Sequence, residues 1–524
     1  MKRLSVMVLI LACLLAPALS RAQYPIIKVS RDWSLDPEEV TISINPADPL
    51  NLAAGANVDY YYYSFDGGYT WTEGHLTSTL GVWGDPSVTF DALGNLYFGH
   101  LSNPDDGDWV DRIVVQKSVD GGVTWSDGAG IGLNTPKVQD KEWLAADMTD
   151  SPYRDNIYVA WTEFDALWSN DPEDSTRILF SRSSDHGETW SDPVKISDRG
   201  GNCLDGDLTV EGAVPAVGPD GEVYTSWGGP LGIMFDRSLD GGETWGTDIF
   251  VTDQPGGWGF DIPGIYRCNG MPVTACDISD SPYRGTIYVL WSDQRNGLDD
   301  TDVFLKKSTD GGDSWSERKR VNDDTTAAHQ FFPWMTVDPL TGIVWVVFYD
   351  RRHTTGNETD VYIARSQDGG ETFENFPLGD STFTTTSTVF FGDYINIAAR
   401  GGKVYPIWTR MDRGLLSVWV ALIDESMEVE DAGETPPDEF ALLPNYPNPF
   451  NAATTFTFQL DRPETVDLTV YNVRGQIVEI LISGHREAGI HAIQWQPEDL
   501  ASGFYVYRLT AGSRAVTGKC LLLR

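Results

Sequence analysis

Between residues 25 and 424 the chain is a succession of short apolar runs broken by polar, glycine-rich turns. The stretch 146–164 (ADMTDSPYRDNIYVAWTEF) is an apolar run, a polar turn and a second run that ends near Trp161. Residues 276–294 (CDISDSPYRGTIYVLWSDQ) nearly repeat it, 130 positions later. Runs of this length bounded by turn residues predict paired β-strands. Similar pairs begin near Glu39, Asp85, Asp140, Glu211, Asn269, Phe332 and Asp393, which makes seven units. The last unit offers three strands, from Tyr394, Val404 and Leu416, and residues 26–30 can supply its fourth.

A second repeat sits in the turns. Ser-x-Asp-x-Gly-x-Thr-Trp occurs at Ser64 to Trp71, Ser118 to Trp125, Ser183 to Trp190 and Ser238 to Trp245. Looser copies run from Ser308 to Trp315 and from Ser366 to Phe373. The starts lie 54, 65, 55, 70 and 58 residues apart. In each, the aspartate (Asp66, Asp120, Asp185, Asp240, Asp310, Asp368) can accept bonds from backbone N–H groups of its own hairpin. A glycine takes the positive-φ position, and the aromatic folds into the neighbouring apolar seam. Repeats of this period with several short strands each read as blades of a propeller. The fold expected is all-β: a β-propeller over 24–424, with seven blades favoured and six the alternative.

The turn motif resembles the Asp-box, or BNR repeat, of sialidase-type propellers. After an acidic segment at 425–441, Asn-Tyr-Pro-Asn-Pro-Phe-Asn451 opens alternating runs at 454–460, 466–473, 489–495, 504–509 and 516–523. These predict a small Ig-like β-sandwich over 442–524. The opening, Tyr471-Asn-Val-Arg-Gly475, Gly503-Phe-Tyr-Val-Tyr-Arg508 and the Lys519 to Arg524 end resemble the C-terminal sorting domain of type IX secretion cargo, and equally Ig-like modules of the flagellar hook-capping type. The first resemblance implies secretion machinery as a partner.

Residues 1–22 combine Lys2 and Arg3, an apolar stretch to Leu19 and small residues at Ser20 and Ala22, the pattern of a cleaved signal peptide. A secreted or cell-surface protein follows, with no membrane span in the mature chain. With 77 acidic against 37 basic residues the formal charge is −40, so nucleic acid is a poor partner. Export permits disulfides, and Cys203 and Cys268, both in loops before inner strands, are expected to pair. Asp105-Asp106-Gly107-Asp108 and Asp299-Asp300-Thr301-Asp302 lack a full calcium loop, so no metal or other cofactor is expected, with calcium the weak alternative.

Chemistry should gather on the propeller face opposite the Asp-boxes, just before inner strands and just after second strands. Asp85, Asp140, Lys141, Glu142, Trp143, Glu211, Arg267, Phe332, Trp334, Asp393 and Tyr394 fill the first set. The second includes Asp165, Asp293, Arg295, Asp350, Arg351, Arg352, His353 and Arg410. Converging acids, arginines and aromatics suit a carbohydrate. Carboxylates serve acid–base steps, guanidinium forks grip acidic groups, and Trp143 and Trp334 offer faces for sugar rings. The sialidase resemblance implies Tyr394 as nucleophile and Glu211 as its activator; it assigns no acid, for which Asp85 and Asp140 are the candidates by position. It also implies Arg295, Arg351 and Arg410 on a substrate carboxylate; Arg352, Glu142, Trp143, Trp334 and Asp393 are candidate substrate contacts by their places at the strand ends. The family's arginine on the first inner strand is missing from residues 39–46. The expected function is a sialidase-like glycoside hydrolase acting on extracellular glycan or glycoprotein. The alternative is a non-catalytic propeller that binds glycan or protein.

Overall fold

The computed structural model describes residues 24–379 and 382–425, and in the tail 440–442, 445, 450, 454–486, 489–495, 497 and 500–522. The leader 1–22 and nearly all of the acidic segment 425–441 lie outside the described residues. The chain divides into two compact units, 1–426 and 427–524. No helix among the described residues is long and apolar enough to cross a membrane.

The first unit is built from antiparallel four-stranded sheets. The first sheet pairs Thr41–Ile44, Leu52–Ala56, Tyr60–Ser64 and Thr72–His75 in chain order. Five more follow the same path, with inner strands Ser87–Phe90, Val138–Ala146, Glu211–Val217, Val273–Cys276 and Gln330–Val337. A seventh runs Asn396–Arg400, Lys403–Asp412, Leu415–Ala421 and takes its outer strand, Ile26–Lys28, from the start of the chain. Each inner strand contacts the next, and the seventh contacts the first, so the sheets close a ring. This is a β-propeller. Six of its seven second strands are buried from end to end, as in Ile157–Phe164 and Ile287–Asp293, which is why they read as continuous apolar runs. Trp161, Trp227, Trp291 and Trp345 lie wholly inside.

The Asp-boxes join third to fourth strands. Asp66 accepts from Ser64 Oγ (2.8 Å), from the Thr70 N–H (2.9 Å) and from Thr70 Oγ1 (2.7 Å). Asp120, Asp185, Asp240, Asp310 and Asp368 repeat the pattern. Gly67 and Gly68 hold φ of 72° and 90° in that turn. The box tryptophans wedge between sheets: Trp245 meets Phe180 at 4.7 Å and Trp315 meets Phe235 at 5.1 Å between ring centroids. The six aspartates thus tie down turns.

The expected Cys203–Cys268 bond is corrected by the structure. All four described cysteines are free, buried thiols. Cys203 bridges Ser169, while Cys268 pairs with Phe260, so the two belong to different local pairings.

The second unit is a sandwich of two sheets. One holds Ala441–Leu442, Thr454–Leu460 and Gly489–Trp495; the other holds Ile477–Arg486, Glu464–Asn472, Gly503–Ala511 and Arg514–Leu522. Phe456, Phe458, Leu468, Trp495, Tyr507 and Leu522 pack between them.

Candidate functional site

The inner strands share a local device. Glu39, Asp85, Lys141, Gly212, Phe332 and Gly392 all have positive φ, between 48° and 88°. Each stands two residues before a side chain of the inner ring: Thr41, Ser87, Trp143, Val214, Trp334 and Tyr394. At three of them the pairing register shifts, between Asp140 and Trp143, Glu211 and Val214, and Phe331 and Trp334. Such a kink breaks the pleat and re-aims the flanking side chains. Four of the six positions are not glycine, and each such conformation costs about 1–3 kcal/mol. Backbone strain of this kind concentrates where geometry is held for a purpose.

The re-aimed residues form a charged cluster. Lys141 Nζ lies 2.6 Å from Asp393, 3.5 Å from Asp85 and 3.7 Å from Glu39. Arg267 grips Asp393 with two nitrogens, Nε at 2.9 Å and Nη2, and reaches Asp205 at 3.6 Å. Asn57 bridges the cluster, donating to Glu39 and accepting from the Asp85 N–H. Asn269 donates to the Asp393 carbonyl at 3.0 Å.

The cluster splits its carboxyls into two groups. Burial would raise Asp393, but Lys141 and Arg267 overcome it and hold its carboxyl far below the ordinary range. Burial would raise Asp85 too, but Lys141, together with the Glu39 and Asp140 carboxyls beside it, outweighs burial and holds it low. Glu39, Asp140, Glu142 and Glu211 go the other way, pushed well up by burial and by neighbouring acids. Both oxygens of Glu142 and both of Glu211 are buried without a hydrogen-bond partner.

Two cavities open on this cluster. A narrow axial one, about 50 Å³, is lined by Asp85, Glu142, Trp143, Trp334 and Tyr394. A wider one, about 360 Å³, is lined by Asp205, Glu211, Trp258, Tyr266 and Arg267. Lys141, Asn269, Met271 and Asp393 border both. The wider cavity lies within the roughly 300–1,000 Å³ of small-molecule sites. Across the axis Trp143, Trp334 and Tyr394 pack together, with centroids 4.3, 5.3 and 5.8 Å apart. Trp143 and Trp334 also line a third cavity along the inner strands, so they stand between the charged mouth and the rest of the channel.

The structure brings together Asp85, Asp140, Glu142, Trp143, Glu211, Trp334, Asp393 and Tyr394. Tyr394 donates to the Pro86 carbonyl at 3.3 Å, and its phenol is pushed well up by burial and four surrounding acids. Glu211, without a partner, makes no hydrogen bond to it. The four predicted arginines line neither mouth cavity. Arg295 is spent on Asp293 (2.8 Å), and Arg352 on Asp350 (2.8 Å) and Asp323. Arg351 is buried and donates to Pro263 O, Thr359 and Thr385. Arg410 lies over the Trp419 ring at 5.3 Å. The cations at the mouth are instead Lys141 and Arg267. Glu39, Asn57 and Asp205 were not singled out from sequence, although Glu39 begins an inner strand as Asp85 does. Asp105, Asp106 and Asp108 are exposed, and no three His, Cys, Asp or Glu among the described residues converge as metal ligands.

Comparisons with known proteins match two segments of the chain. Residues 62–73 match the BNR/Asp-box repeat, and residues 445–522 match the secretion system C-terminal sorting domain. The sorting domain marks the chain for export. No curated protein matches the sequence. Similar solved structures include the Hadza microbial sialidase Hz136, at 15% identity over 72% of this chain and 75% of that one, with a TM-score of 0.41. The NanB sialidase from Streptococcus pneumoniae is 8% identical over 71% and 83%, with a TM-score of 0.41. An ulvan lyase of polysaccharide lyase family PL25 is 12% identical over 75% and 95%, with a TM-score of 0.45. Likeness at this level carries no chemistry across to this chain. The ring of sheets is a β-propeller that carries a BNR/Asp-box repeat at residues 62–73, and residues 445–522 match a secretion system C-terminal sorting domain.

Proposed function

We propose that this is an exported glycoside hydrolase whose acid and base are carboxyls at the propeller mouth. The observation that carries the reading is the split between Glu142 and Asp85 in one axial cavity. Glu142 is unpaired and pushed well up by burial; Asp85 is held low against burial by Lys141. Two carboxyls pushed in opposite directions are what proton donation to a leaving oxygen and stabilisation of the opposite face require. Glu142 is the donor and Asp85 the carboxylate partner. Lys141 holds the partner ionised, and the Trp143–Trp334–Tyr394 floor excludes water from below.

The test is hydrolysis of a panel of glycosides and polysaccharides by the mature chain. Glu142→Gln and Asp85→Asn are expected to lose about 10²–10⁴-fold in kcat. Tyr394→Phe is expected to stay within a few-fold of wild type. Turnover of a sialoside that disappears in both Tyr394→Phe and Glu211→Ala would replace this reading with the sialidase mechanism. One observation favours a non-catalytic binder: Asp393, at the centre of the mouth, is fully occupied by Lys141 and Arg267. Glycan binding without turnover of any substrate would establish that reading instead.

A further inference from the structure

We propose that the wider cavity is a subsite for a protonated amino sugar, with its ammonium on Glu211 and Asp205 and its ring against Trp258 and Tyr266. The inference rests on the hydrolase reading only for its setting, since binding is measured without turnover.

Glu211 has no exposure to solvent, and neither carboxylate oxygen has a partner among the described residues. Buried polar atoms in that condition point to a ligand that supplies donors. An ammonium brings three N–H donors and a positive charge on one atom.

The charges in the wall select the same chemistry. Five acids border the cavity against two cations. Both cations are committed to Asp393, Lys141 at 2.6 Å and Arg267 through two nitrogens. Asp205 receives only the outer reach of Arg267, at 3.6 Å. Glu211 therefore lines the space with no ion pair among the described residues, and Asp205 with only that loose one. An anionic sugar would meet repulsion there, and the acidic chain as a whole would repel it from a distance. A divalent cation is a poorer fit, because no three ligating side chains converge.

The wall also supplies faces for a ring. Trp258 is buried and anchored by Nε1 donation to the Thr209 carbonyl at 3.1 Å, and Tyr266 is 62% exposed at the rim. The groups acting on Glu211 are Asp205 and Asp140, which raise it with burial, and Lys141 and Arg267, which lower it. An arriving ammonium adds to the second set and pulls the carboxyl down.

Calorimetry on the mature chain compares a β-1,4-linked glucosamine oligomer with its fully N-acetylated counterpart at about pH 6, where such an amine is charged. The glucosamine oligomer is expected to bind at least about tenfold tighter, an energy difference of about 1.4 kcal/mol. Its affinity should fall with added salt, and its binding heat should change with buffer ionisation, reporting proton release. Glu211→Gln is expected to erase the preference without lowering the melting temperature. Asp205→Asn, at a half-buried position, reduces it in a variant whose folding is not at issue. Equal affinity for the two oligomers, survival of the preference in Glu211→Gln, tighter binding of an acidic oligosaccharide, or displacement by calcium would each overturn the proposal. Glu142→Gln separates the two readings: loss of turnover with the preference intact supports both. Turnover without the preference removes the subsite alone. The preference without turnover in wild type removes the hydrolase alone.

Discussion

Replacing Lys141 by methionine tests whether the mouth is organised by charge. The side chain is about 10% exposed and sits among Asp393, Asp85 and Glu39 at 2.6, 3.5 and 3.7 Å. Methionine keeps most of the volume and removes the charge. Arg267 still holds Asp393, so the main loss falls on Asp85, which Lys141 keeps ionised against burial. Removing one partner of a buried ion pair costs about 3–5 kcal/mol. With about 2.1 cal/mol/K of unfolding entropy per residue, a ring of roughly 400 residues would then melt about 4–6 °C lower. The pH dependence carries the sign. In wild type the lowered carboxyls of Asp85 and Asp393 stabilise the fold above their unfolded values and lose that contribution as pH falls through the folded ones. Without Lys141, burial raises Asp85, the native state binds the extra proton, and stability grows as pH falls. The deficit is therefore full at about pH 7 and shrinks toward about pH 4. Scanning calorimetry of both proteins across that range measures it. A deficit of the same size at both ends would mean lost packing rather than lost charge, and would refute the reasoning.

Three further outcomes are expected. Asp236 is raised to about 7 by burial and then by Asp248 and Asp198, while its Oδ1 accepts from the Arg237 and Gly246 N–H groups. Its raised value costs stability as pH climbs from about 4 to 7, so Asp236→Asn should match wild type at the acid end and exceed it by about 2–4 kcal/mol above pH 7 in denaturant melts. Asp240→Ala removes the acceptor for Ser238, Thr244 and the Glu243 N–H, and should cost about 1–3 kcal/mol in the same melts without changing ligand affinity at the opposite face. The thiols of Cys203 and Cys268 should react with an alkylating reagent only after denaturation, and a reductant should leave the melting temperature unchanged; a drop on reduction would restore the disulfide.

The repeat that was easiest to find carries the least chemistry. An Asp-box is local: Asp66 bonds residues within four positions of itself, and Gly68 closes the turn between them. Everything it needs lies in one short string, so six copies are visible without a structure. The strand pairs are legible for a related reason, since burial on both faces makes Ile157–Phe164 continuously apolar. The strand Ile477–Arg486 has no legible pattern, because its apolar residues do not alternate and Ile477 and Ile480 are exposed.

The mouth has no such local signature. Lys141 and Asp393 are 252 residues apart in sequence and 2.6 Å apart in space. Closure of the ring brings them together, and the kinks at Glu39, Asp85 and Lys141 turn them inward. Topology alone located the strand ends, and so Asp85, Glu142 and Glu211 could be picked from their places before inner strands. It could not say which cations would face them. The sialidase resemblance directed attention to Arg295, Arg351 and Arg410, on the side of the loops that follow second strands. Two of these meet satisfying partners close at hand, Asp293 for Arg295 and the hydroxyls of Thr359 and Thr385 for Arg351. An arginine so placed is spent before any ligand arrives. Lys141 and Arg267 escape that fate at the strand ends, but they are drawn to Asp393 instead. The acids left over, Glu142 in the axial cavity and Glu211 in the wider one, are the groups with unmet bonds. A ligand that answers Glu211 must bring donors and positive charge, the reverse of what the arginine pattern suggested.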